Sequence, residues 1–210
     1  MRIKNFELFE NVSLQPPKIL LDNLESIEVK YINFDGDIKT GNIICNRGIS
    51  NDLREIFEEL LNMGFPIYQI IPISEFNNDD EESVKANNTS CYNYRFVLGS
   101  NKMSDHSTGN AIDINPIQNP WLSPLAIQGL EYDTSKPGTV DESIVSLFKR
   151  YGFSWGGYWK TPDYQHFFKP DLVLKNKILN ADKTKIDRFR DYIKDNGTKV
   201  ISRIKNNYLK

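Results

Sequence analysis

Ser104-Asp-His-Ser-Thr-Gly-Asn-Ala-Ile-Asp-Ile-Asn115 joins a polar, turn-forming half to an alternating apolar half. Gly109 and Asn110 permit a tight turn, because both residue types tolerate backbone conformations that most side chains disfavour. Beyond the turn, Ala111 to Ile114 reads as a short strand. Side chains alternate across a strand, so Ile112 and Ile114 share one face and Asp113 takes the other. With the isoleucines in the core, the Asp113 carboxylate is thrust above the sheet and the turn folds His106 back towards it. A plain turn with a capping Asp is the competing reading of the same residues.

The second histidine of the chain, His166, lies in Thr161-Pro-Asp-Tyr-Gln-His-Phe-Phe168. Asp163 and His166 are three positions apart, so a single helical or bulged turn after Pro162 puts both on one side, whereas an extended strand separates them. Taken together, His106, Asp113 and His166 offer zinc two neutral imidazoles and one carboxylate, with a fourth position open to water. That is the pattern of catalytic rather than structural sites. One anionic ligand leaves net positive charge, which lowers the pKa of a bound water towards about 7. Asp163, beside the metal but not bound to it, is then placed to take the proton.

Upstream, Ile27 to Phe34 alternates apolar and polar residues and predicts a half-buried strand, followed by the turn signal Asp35-Gly36-Asp37 and a hairpin partner over Asn42 to Cys45. Leu53, Ile56, Phe57, Leu60 and Leu61 recur at helical spacing. Asp52 and Glu55 fit a capping pair at that helix's start, and Gly64 and Pro66 end it. An apolar segment follows over Ile67 to Ile73, the polar run Asn77 to Asn88 reads as a surface loop, and a second strand is expected around Tyr92 to Leu98. A later helix spans Val140 to Tyr151, with Thr139 and Glu142 at capping-box spacing and Gly152 closing it. Lys183 to Lys210 predicts one or two charged surface helices broken near Asn196-Gly197. Helices and strands in irregular order make the class α+β rather than a βαβ parallel sheet.

The 210 residues, 39% hydrophobic and 26% charged, fit a single domain over 1–210. With 26 basic against 28 acidic residues, the net charge of −2 supplies no basic field for nucleic acid or an anionic membrane. No apolar run approaches the roughly 18 residues of a membrane span, and Met1 to Glu10 has no export signal. Cys45 and Cys91 form no CxxC pattern; they are an isolated disulfide or two small buried residues, the latter being commoner for this residue type. A monomer is expected.

The elements Ser-x-His-x-x-Gly-x-Ala-x-Asp at Ser104 to Asp113, followed by the acid-x-x-His pair Asp163 to His166, resemble the zinc D-alanyl-D-alanine carboxypeptidase family of VanY-like peptidases. That family includes vancomycin-resistance carboxypeptidases and dipeptidases and phage L-alanyl-D-glutamate endolysins. The similarity runs from about Ile67 to Phe168 and takes in Asn87 to Arg95, Asn115 to Pro120 and Trp155 to Trp159, which resemble one bacterial branch. It implies a hedgehog-like α+β fold with a central antiparallel sheet and flanking helices, a catalytic core over about 27–180, Zn2+ as cofactor, and peptidoglycan peptide as substrate.

By the same resemblance, Arg95 stabilises the oxyanion, a role that suits an always-charged guanidinium, and Ser104 binds the substrate backbone. A surface or ion-paired Arg95 is the plainer alternative. Trp155 and Tyr158, with Trp159, form an aromatic wall of the cleft or else pack around the Gly156-Gly157 loop. Several relatives carry Glu where this chain has Asp163, whose shorter side chain must reach from a closer backbone. A non-catalytic zinc-binding module of the same fold is the rival function. The substrate implies the periplasm or cell wall.

Overall fold

The computed structural model describes residues 16–100 and 102–169, so Met1 to Glu10 and the helices expected over Lys183 to Lys210 lie outside the described residues. A short helix α1 (Lys18–Leu21) leads into the hairpin of β1 (Leu24–Ile32) and β2 (Ile38–Asn46). The two pair antiparallel with Ile27 opposite Ile43 and Val29 opposite Gly41. Alternation sets their faces: Ile27, Val29, Tyr31, Ile43 and Cys45 are buried, and Glu28, Lys30 and Asn42 are exposed. Cys45 and Cys91 are both free and buried.

Helix α2 (Ser50–Asn62) lays Leu53, Ile56, Phe57 and Leu60 against this hairpin, and Gly64 follows with φ +70°, the left-handed conformation that stops a helix. Its start differs from the expectation. The cap is Ile49, with no side-chain hydrogen bond, and Asp52 sits inside the first turn with its carboxylate on Lys169 Nζ at 2.8 Å. A distant cation outcompeted the local cap.

The apolar segment after α2 yields only a short strand β3 (Gln69–Ile70) and a 3-10 turn over Ile73–Phe76. Within the polar run read as a loop, helix α3 (Asp80–Lys85) forms. Asp79 caps it, accepting from the backbone N–H of Glu81 (3.0 Å) and Glu82 (3.1 Å), and three acidic residues complement the positive end. Hydrophobic periodicity missed it because Ser83 alone is buried. Strand β4 (Asn88–Thr89) pairs parallel with β3. Tyr92 to Leu98 is no regular strand: Arg95 N–H goes to Ser107 Oγ, and Phe96 makes a single bridge to Met103.

A 3-10 turn over Asp105–Thr108 precedes β5 (Ala111–Asp113); helix α4 (Glu142–Arg150), β6 (Ser154–Trp155), a 3-10 turn over Gly156–Tyr158 and β7 (His166–Phe168) complete the described chain. Helix α4 starts two residues later than expected, because Asp141 rather than Thr139 is the cap, accepting from Ser143 N–H at 2.9 Å and Ile144 N–H at 3.1 Å. Gly152 follows the helix with φ +80°.

This is a mixed α+β architecture with small sheets, antiparallel except for the parallel β3-β4 pair. The described strands form three sheets, β1-β2, β3-β4 and β5-β7-β6, linked by single bridges at Ile32–Pro66 and Ser90–Asp113. One core runs through them. Ile112 and Ile114 are fully buried, and Phe167 stacks on Phe148 at 3.9 Å between ring centroids.

Candidate metal centre

His106 stands on the 3-10 turn, which Ser104 caps by accepting the His106 N–H at 3.3 Å and which Gly109 ends with φ +68°. Gly109 is needed twice over: its backbone is left-handed, and a Cβ there would lie 2.7 Å from Asn46 N. The His106 Nδ1 lies 2.6 Å from the carbonyl oxygen of Cys91. With Nδ1–H donating to that carbonyl, the Nε2 lone pair faces inward, the arrangement that orients a metal-ligating imidazole.

Asp113 and His166 come from neighbouring strands and are paired across β5 and β7. Their side chains therefore share one face, opposite the core face of Ile112 and Ile114. His166 Nδ1 is 3.0 Å from Asp113 Oδ1, His106 Nε2 is 3.1 Å from Asp113 Oδ2, and the two imidazole nitrogens are 3.1 Å apart. All three residues are buried, and their ligand atoms lie within 4.8 Å of one another. Zinc bonds of about 2.0–2.1 Å at tetrahedral angles separate donors by roughly 3.3 Å, so these side chains need barely move to share an ion. The donor set of two imidazoles and one carboxylate fits zinc.

The charges agree with this geometry. Burial alone would push the Asp113 carboxyl up, but the two imidazoles beside it hold it well below the usual carboxylate range. Burial would lower His106, yet the Asp113 carboxylate outweighs it and the imidazole pKa is raised. Cys91 contributes its carbonyl oxygen to His106, while burial pushes its thiol well up.

Asp163 reaches the same place by the turn expected from its spacing: His166 N–H donates to Asp163 O at 3.3 Å. Burial pushes its carboxyl up to about 7, opposed chiefly by His166. Its Oδ1 is buried with no hydrogen-bond partner, an orphaned acceptor of the kind that a reacting group uses. The close fit continues at Gly156, where a Cβ would fall 2.7 Å from Asp163 O.

Arg95 is ion-paired, its Nε 2.9 Å from Asp80 Oδ1, and its positive charge acts on both His106 and Asp163. The Ser104 hydroxyl is buried and used in the cap. Of the three aromatics, Trp155 is core: 6% exposed, it donates through Nε1 to Tyr164 O at 2.9 Å and packs on Phe167. Tyr158 is exposed and bonds Glu142 and Lys149 on α4. Neither walls the metal cluster. Trp159 does, 42% exposed with its ring 5.3 Å from that of His166. Sequence reasoning also missed the Cys91 carbonyl, Ser107 and Asp80, which act through backbone groups or from a distant helix and leave no spacing signal.

A family model described as D-alanyl-D-alanine carboxypeptidase matches residues 98–169, about a third of the chain, spanning His106, Asp113, Asp163 and His166. It supports the family read from the two motifs, and with it a peptidase. Neither curated proteins nor solved structures gave a match.

Proposed function

We propose, from the match of residues 98–169 to the D-alanyl-D-alanine carboxypeptidases together with the His106–Asp113–His166 cluster, that this chain is a zinc peptidase. Its substrate is a peptide bond of bacterial cell-wall peptide, of the D-Ala-D-Ala carboxypeptidase or L-Ala-D-Glu endopeptidase type. The observation that carries the reading is the convergence of three buried side chains, whose ligand atoms lie within 4.8 Å of one another, beside the buried Asp163 Oδ1, which has no hydrogen-bond partner.

His106, Asp113 and His166 would hold the zinc ion, which would supply Lewis acidity for the attack of a water on the scissile carbonyl. Asp163 takes the proton of that water and returns it to the leaving amine. Arg95 balances the negative charge that develops on the carbonyl oxygen. Trp159 offers a flat apolar surface to the substrate next to the ligand ring of His166. Ser104 supports substrate binding only indirectly, by keeping the His106 turn in shape.

Asp163→Asn tests the reading. Bound zinc, measured by elemental analysis, is retained, while hydrolysis of defined muropeptides, followed by mass spectrometry of the products, falls at least ~100-fold. Undiminished hydrolysis removes Asp163 from the chemistry. Zinc binding by a wild-type protein that cleaves no muropeptide leaves the non-catalytic module instead.

A further inference from the structure

Helix α3 lies in a polar stretch with no apolar periodicity, yet its first residue is tied to the metal centre. Asp80 Oδ1 lies 2.9 Å from Arg95 Nε and accepts from Asn93 Nδ2 at 3.0 Å. The backbones of those two partners are pinned to the turn that carries His106. Asn93 N–H donates to His106 O at 3.1 Å, Ser104 N–H donates to Arg95 O at 3.1 Å, and Arg95 N–H donates to Ser107 Oγ at 3.0 Å. Asn93 is buried, and the side chains of Asp80 and Arg95 are only 32% and 24% exposed.

One carboxylate oxygen thus gathers two side chains whose main chains are both bonded to the ligand-bearing segment. The anchor itself is braced: Asp79 caps α3, and Ser83 of the same helix accepts from the buried Asn88 Nδ2 at 3.0 Å. A guanidinium has several rotatable bonds and costs entropy to hold; the Arg95 Nε–H makes no hydrogen bond, and it is the charge of a partly desolvated carboxylate 2.9 Å from Nε that restrains it.

We infer that Asp80 is a positioning residue that holds the Arg95 guanidinium beside the His106–Asp113–His166 cluster, with Asn93 fixing the carboxylate that does so. The inference rests on the peptidase reading of that cluster. Asp80 touches no reacting atom and acts through Arg95, so its loss lowers turnover more than substrate binding.

The test is a double-mutant cycle on the zinc-loaded full chain, with muropeptide hydrolysis and the NMR order parameter of the Arg95 Nε–H bond as its two readouts. Asp80→Asn lowers kcat about 10-fold with KM within about 2-fold, and in an Arg95→Ala background the same change alters kcat by less than about 2-fold. The order parameter of the Arg95 Nε–H bond falls in Asp80→Asn and stays near wild type in Asp80→Glu, which also recovers most of the activity. Zinc content and the far-ultraviolet circular dichroism stay unchanged. Equal losses in both backgrounds, or an Nε–H bond equally ordered with and without the Asp80 carboxylate, overturn the proposal. A wild-type protein inactive on every muropeptide defeats the peptidase reading instead, and the order parameter then still decides whether Asp80 holds Arg95.

Discussion

Asp113 and His166 face each other as a cross-strand pair on β5 and β7, with His166 Nδ1 3.0 Å from Asp113 Oδ1. Pairing makes their separation a property of the sheet rather than of flexible side chains. Replacing Asp113 with Asn keeps the shape and removes the one anionic donor. Zinc affinity, read by chelator competition, should then fall by more than the ~10–100-fold typical of losing a mere supporting partner. Unchanged affinity would take Asp113 out of the ligand set.

Protonation sets a pH dependence with a definite sign. Asp163, raised to about 7, holds its proton in the folded metal-free protein over a range, from about 4 upward, where the unfolded chain has lost it. Stability of the metal-free protein therefore falls as pH rises through that window. His106, also raised, adds stability below about 6.5 that is lost as pH climbs through its folded value. Asp113, held low, keeps its contribution until strongly acid pH. Zinc must displace the His106 proton and favours the Asp163 anion, so its stabilisation grows with pH. Denaturant midpoints with chelator should be higher at pH 5 than at pH 8, and zinc should narrow or reverse that order. A zinc increment larger at pH 5 contradicts this assignment.

The aromatic motif separates into two kinds of residue. Trp155→Ala empties a buried site and should cost about 3–5 kcal/mol of stability by denaturant unfolding. Trp159→Ala, at an exposed ring beside His166, should leave stability within about 1 kcal/mol and raise KM for muropeptide several-fold. A KM insensitive to Trp159 removes it from the substrate surface.

Asn115, with φ +42°, knits three segments together: its Nδ2 donates to Pro66 O and Gly138 O, and its Oδ1 accepts from Tyr68 N–H. Asn115→Ala strands the part-buried Pro66 O and Tyr68 N–H at roughly 1–3 kcal/mol each, while Gly138 O keeps Asn119 Nδ2 at 3.0 Å, so a loss of at least about 2 kcal/mol is expected in thermal or denaturant unfolding. A smaller loss would show that water replaces the amide.

The sequence by itself determined the hairpin of β1 and β2, the apolar face of α2, the alternation that sends Asp113 away from Ile112 and Ile114, and the bringing together of His106, Asp113, Asp163 and His166 as candidates. Those features obey local rules of period two or 3.6 and of turn chemistry, which need no knowledge of distant residues. Tertiary structure alone decided that Asp52 serves Lys169 rather than a cap, that α3 forms in a polar run, that Trp155 belongs to the core and Trp159 to the metal site, and that Asp80 reaches Arg95. Lys169 lies 117 positions from Asp52, and competition between near and far partners is settled by packing; α3 has a local cap instead, but it buries no apolar residue and so leaves no hydrophobic period.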